Sequence, residues 1–131
     1  MTLVQTGKRA PFTVQRRPGK RPDTVIFHFS GPFTARDMYE SLPPAALHDM
    51  LTFQSTQDER PPMLNILDLT DVLYVDSSGL GMIVRHYAHC KGKGVRFVAA
   101  GLNEKVLELF RLTKMDAIVP LAATVEDVDR A

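Results

Sequence analysis

Apolar and polar positions in this chain repeat with two periods, and the changes of period mark its elements. Val25, Phe27 and Phe29 alternate with Ile26 and His28, so Thr24 to Ser30 has the period of a strand. Phe12 to Arg17 supplies its hairpin partner, with Pro18-Gly19 and Pro22 as turn residues. Gly31-Pro32 ends the second strand. Thr34 then offers an N-cap for a short helix carrying Met38 and Leu42, and Pro43-Pro44 interrupts that helix. Proline is tolerated at the start of a helix and not inside one, so a second helix begins there and carries Leu47, Met50 and Leu51. The polar stretch Gln54 to Pro62 reads as a loop.

Met63 to Leu69 is almost continuously apolar, which suits a central strand covered on at least one side; a short connector ending at Val75 follows. Leu80, Ile83, Val84 and Tyr87 then fall at i, i+3, i+4 and i+7, predicting a helix over Ser78–Cys90 that ends at Lys91-Gly-Lys-Gly. Val95 to Ala100 is the next strand. Asn103 caps a helix bearing Val106, Leu109, Phe110 and Thr113, Ala117 to Leu121 makes a last short strand, and Thr124 to Arg130 forms one or two helical turns. Alternation of the two periods through the C-terminal half argues for an α/β fold, a mixed sheet flanked by α-helices.

The chemistry concentrates where strand hands over to helix, at Asp76-Ser77-Ser78-Gly79-Leu80-Gly81. Serine is a good N-cap because its oxygen accepts from an orphaned backbone N–H. A phosphate suits the same place, since free N–H groups and the positive end of the dipole favour an anion. Ser78 is the better placed local cap, and Ser77 sits at the exposed mouth of the turn beside Asp76. Gly79 and Gly81 cost helix propensity in the first turns, which points to close approach of another backbone or to a strained turn. Arg85 lies off the apolar stripe and is a candidate partner contact, whereas Ile83 and Tyr87 face the core.

Composition bounds the remaining readings. At 131 residues, with 44% hydrophobic and 24% charged content, the chain is a single globular domain. A net charge of +1 gives no overall pull toward nucleic acid or anionic membrane. Lys8, Arg9, Arg16, Arg17, Lys20 and Arg21 all precede the first acidic residue, Asp23, and read as a solvated tail and hairpin loop. The single Cys90 excludes an internal disulfide, no apolar run approaches a membrane span, and Met1 to Phe12 lacks the apolar region of a signal peptide. A soluble cytoplasmic protein is the expectation. Enzyme readings fail: Val75 and Asp76 stand where a nucleophile elbow needs glycine, and Val84 replaces the third glycine of a dinucleotide fingerprint. His86, His89 and Cys90 share one helix without a second ligand group, so no metal is expected. Asp68 and Asp71 read as solvated strand-end or turn residues.

The segment Leu64 to Gly81, with its Asp-Ser-Ser-Gly-Leu-Gly core, resembles STAS domains, in particular the bacterial anti-sigma factor antagonists. The resemblance continues through Gly94-Val-Arg-Phe-Val-Ala-Ala-Gly, the helix Asn103 to Lys114 and Ile118-Val-Pro-Leu. It implies a STAS-like mixed sheet of four to five strands flanked by helices, with residues 1–11 a flexible tail and 12–131 the domain. The double proline departs from the single uninterrupted helix usual in that pattern. The resemblance further implies a binding protein, not an enzyme, with no cofactor and as a monomer or weak homodimer. In its unphosphorylated form it captures an anti-sigma factor that is itself a serine kinase; the kinase phosphorylates Ser77 and ends the interaction, and a PP2C-type phosphatase restores it. The implied partner face comprises Asp76, Ser77, Ser78, Gly79, Gly81 and Arg85. Two other readings stay open: a docking subunit of a lipid-transport or signalling complex, and a nucleotide-sensing module.

Overall fold

A computed structural model describes residues 11–52 and 62–130. Its elements run β1 (Thr13–Pro18), β2 (Thr24–Phe33), α1 (Ala35–Ser41), α2 (Pro44–Thr52), β3 (Leu64–Val75), α3 (Ser77–Gly92), β4 (Arg96–Ala100), α4 (Glu104–Leu112) and β5 (Leu121–Ala122). The expected tail, apart from Pro11, and the expected Gln54–Pro62 loop, apart from Pro62, lie outside the described residues.

The strands form one mixed sheet in the order β1-β2-β3-β4-β5. The tight hairpin makes β1 antiparallel to β2, and helical crossovers make the remaining neighbours parallel. Alternation then assigns the two faces. Phe27, Phe29, Leu67, Leu69, Phe97 and Ala99 pack with Leu47 and Leu51 of α2, Leu80 and Ile83 of α3, and Val106 and Phe110 of α4. Ile26, Ile66 and Ala100 point the other way and are covered by Val125 and Val128 of the C-terminal segment. Asp129 fastens that segment, its Oδ1 accepting from Lys20 N at 2.9 Å in the β1–β2 turn. Beside the helical face, Phe12 stacks on Phe33 with ring centroids 4.8 Å apart.

Thr34 caps α1 as expected, accepting from Asp37 N, and α2 begins at Pro44. Two boundaries differ from the sequence pattern. β3 runs through Val75 without a connector, because β2 continues to pair with it as far as Phe33↔Val75. A register shift between His28 and Ser30 accommodates the polar Thr70-Asp71 step that looked like a strand end. The last strand, in turn, is not Ala117–Leu121. Met115–Ala117 is a 3-10 turn entered through left-handed Lys114, at φ 62°, and pairing is confined to Leu121–Ala122.

Candidate functional site at the turn from β3 to α3

One residue, Asp76, joins the central strand to α3, and its extended backbone (φ −98°, ψ −175°) is that of an N-cap. Its Oδ1 accepts from Gly79 N at 2.9 Å, and its Oδ2 accepts from Ala35 N at 3.1 Å. A single carboxylate thus caps α3 and ties the first residue of α1 to the same point. Capping therefore falls to Asp76 and not, as expected, to Ser78. The physical reason is that two oxygens can serve two helix starts, and the second donor comes from 41 residues away. Ser77 and Ser78 become the first two residues of α3, both exposed and both relieved of capping.

The two glycines have opposite surroundings. A methyl built on Gly79 would lie 2.2 Å from Phe33 O and 2.9 Å from Val75 Cγ1, so β2 approaches here as closely as the sequence suggested. Nothing lies within 4 Å of such a methyl at Gly81, which corrects the expectation of close packing for that residue. Gly81 is exposed, and with Ser77 and Arg85 it forms a line at i, i+4 and i+8 along the outer face of α3. The inner face buries Leu80, Met82, Ile83, His86 and Cys90, with Tyr87 half-buried against Phe97. The structure therefore gathers Asp76, Ser77, Ser78 and Gly79 at the mouth of the turn and leaves Gly81 and Arg85 along the exposed edge.

Two features around this turn were not read from the sequence. Asn103, expected only as a cap, accepts from Val106 N at 2.8 Å, while its Nδ2 donates to Val72 O at 3.0 Å and Leu73 O at 3.1 Å. It pins α4 to the end of β3. Tyr39, one turn into α1, and Leu73 are large and exposed, at 72% and 52%, on elements that meet at Asp76. Their exposure carries no periodic signal, because each lies in an otherwise ordinary amphipathic stretch.

Asp68 is not a solvated residue but is buried within β3, which corrects its expected role. His28 stands between Asp68, 2.8 Å from Nδ1, and Asp71, 2.9 Å from Nε2. Asp68 also accepts from Thr70 N at 3.0 Å and from the Thr70 hydroxyl at 2.6 Å. Burial works to raise the Asp68 carboxyl, and the bonds from Thr70 and His28 outweigh it, leaving the group below its ordinary value. Asp68 therefore stabilises the fold above the ordinary carboxylate range, and this contribution is lost as pH falls through its depressed value. Asp68→Asn is expected to cost about 1–2 kcal/mol in urea unfolding at neutral pH. Burial also raises the Cys90 thiol to about 11, so it is protonated at neutral pH. Among the described residues, no three His, Cys, Asp or Glu side chains are arranged to hold a metal ion. None of the described helices is long and apolar enough to cross a membrane.

Comparison with known proteins adds to this geometry. A family model described as the STAS domain matches residues 17–128. The anti-sigma-B factor antagonist of Listeria monocytogenes is 33% identical over 55 residues, which are 42% of this chain and 48% of that protein. The match thus spans about half the length of that curated relative. An anti-sigma factor antagonist from Mycobacterium paratuberculosis superimposes with a TM-score of 0.69 at 23% identity, covering 92% of this chain and 94% of that one. The Bacillus cell fate determinant SpoIIAA in its phosphorylated form gives 0.62 at 14% identity, covering 90% and 98%.

Proposed function

The chain belongs to the STAS domain family, and from that premise we propose that it is an anti-sigma factor antagonist that switches partners through Ser77. The unphosphorylated protein captures an anti-sigma factor serine kinase in the cytoplasm. Phosphorylation of Ser77 by that kinase releases it, and a PP2C-type phosphatase resets the cycle. The observation that supports this reading best is the exposed Ser77 hydroxyl at the first residue of α3, relieved of capping by Asp76. A phosphate there meets the positive end of the helix dipole, so the fold tolerates it. It also brings about −1.5 to −2 charges beside the Asp76 carboxylate, against which a partner shaped for the neutral turn is repelled.

With the cognate kinase and ATP, the protein is expected to take a single phosphate, and Ser77→Ala to abolish labelling. Phosphate mapping instead to Ser78 or Thr70 overturns the assignment; Thr70 already spends its hydroxyl on Asp68. Ser77→Asp is expected to keep its thermal stability and to bind the kinase at least about tenfold more weakly, a change of roughly 1.4 kcal/mol.

The partner face is proposed to run along Ser77, Ser78, Gly81 and Arg85. Exposed helical glycine costs up to about 1 kcal/mol relative to alanine, and nothing in the fold requires it at Gly81. Gly81→Ala is therefore expected to raise the melting temperature while weakening the kinase complex. Arg85→Glu is expected to weaken the complex with the melting temperature nearly unchanged. Calorimetric titration alongside thermal unfolding separates the two effects. Full binding by both variants removes this face from the reading.

A further inference from the structure

β1 is an edge strand among the described residues, and every side chain on it except Val14 is exposed. An edge strand offers unpaired N–H and C=O groups along its free side, which makes it a template for another strand. On β1 that side is flanked by cations. Arg16 and Arg17 are followed in the hairpin turn by Lys20 and Arg21, and none of the four makes an ion pair within the described residues. Register places Arg16 opposite Phe27 and Arg17 opposite Ile26, so the two guanidinium groups leave the strand on opposite faces of the sheet. An open cleft of about 340 Å³ lies at the turn end of this hairpin, lined by Arg16, Arg17, Pro18, Pro22, Thr24 and Val25. Thr24 is 3% exposed, and its hydroxyl has no hydrogen-bond partner.

We propose that this edge is a docking site for an extended acidic segment of a partner protein, which adds to β1 as a further strand and sets carboxylates against Arg16 and Arg17. Main-chain bonds along the edge supply affinity, and the alternating side chains of the added strand supply selectivity. The splayed arginines decide the class of occupant. A duplex or a bilayer presents its charge on one side and meets only one of the two faces. A second copy of this chain pairing through the same edge brings arginines against arginines. An acidic strand lying along the edge reaches both.

The site is remote from Ser77. Arg17 lies level with Ile26 and hence with Ile66 on β3, while the α3 turn follows Val75. At about 3.3 Å per residue the two sites are roughly 30 Å apart, so one does not block the other.

The test is an NMR titration of the labelled 131-residue chain with a capped seven-residue peptide alternating glutamate with valine or threonine. The expected result is slowed amide exchange over Thr13–Arg17, weakened by added salt. Arg16→Glu/Arg17→Glu is expected to reduce affinity at least about tenfold, with the melting temperature shifted by no more than a few degrees. If that variant is destabilised, Arg16→Gln/Arg17→Gln serves instead. Ser77→Asp is expected to leave peptide binding unchanged, which keeps this result distinguishable from failure of the partner-switch reading. Absence of β1 protection at millimolar peptide, or equal binding of the matching lysine peptide, overturns the proposal. So does perturbation of β1 by a short DNA duplex or by phosphatidylserine vesicles when the acidic peptide has no effect.

Discussion

Gly79→Ala is expected to destabilise the protein by about 3 kcal/mol, the upper range for forcing atoms into a packed site. The added methyl has no free direction. Phe33 O lies 2.2 Å from where it would stand, Val75 Cγ1 2.9 Å and Phe33 Cγ 3.1 Å. Two of these are side-chain atoms, but the closest belongs to the backbone of β2, whose carbonyl also accepts from Asp76 N at 3.3 Å. Relief requires α3 to move away from β2, and that movement strains both bonds of the Asp76 carboxylate. Helix propensity runs the other way, since alanine is preferred to glycine by about 1 kcal/mol, so the clash must exceed that gain for the variant to lose stability. The melting temperature is expected to fall by roughly 10 °C. A variant as stable as the parent shows that α3 shifts without cost. Comparison with Gly81→Ala, one helical half-turn away and in open space, isolates the clash from propensity.

Acid is expected to weaken the fold through His86 by roughly 3 kcal/mol between pH 6.5 and pH 4. The ring is 1% exposed, set edge-on against Phe97 at 5.5 Å and Phe27 at 6.2 Å, with Cys90 Sγ 3.6 Å from Nε2. Its Nδ1 has no hydrogen-bond partner. Burial, and then the neighbouring His89 and His48, push its pKa from 6.5 down to about 4. Between those values the unfolded chain binds a proton here and the folded chain does not. Stability therefore falls as pH drops through this window, and the loss is complete below about 4. Burial likewise lowers His89, which steepens the same slope. Urea unfolding at intervals across this range measures the effect, and His86→Leu is expected to flatten most of it. An unchanged slope in that variant places the acid sensitivity elsewhere.

Several elements were legible because their causes are local. The apolar spacing of Leu80, Ile83 and Tyr87 reports the inner face of α3 wherever that helix is placed. Thr34 and Asn103 cap the helices that directly follow them, and Pro44 opens α2 because proline disfavours any other helical position. The serine pair beside an aspartate was likewise visible, and the α/β class followed from alternating periods. The same local rules misassigned the cap of α3, since serine and aspartate are equally good caps until a second donor is brought near.

By itself, then, the sequence determined the element types as far as α4, the buried face of each helix and the location of the Asp76-Ser77-Ser78 turn, because backbone periodicity and capping act within a few residues. Tertiary structure decided the rest. Ala35, delivered by the β2–α1 connection, gives the Asp76 carboxylate its second bond and leaves both serines free. Phe33 makes one glycine obligatory and leaves its neighbour at Gly81 without a structural role. Pairing with β2 extends β3 through Thr70-Asp71 and draws His28 between two carboxylates. Each of these depends on a contact between residues more than thirty positions apart, and no pattern along a single segment carries information about the atom that will lie across from it.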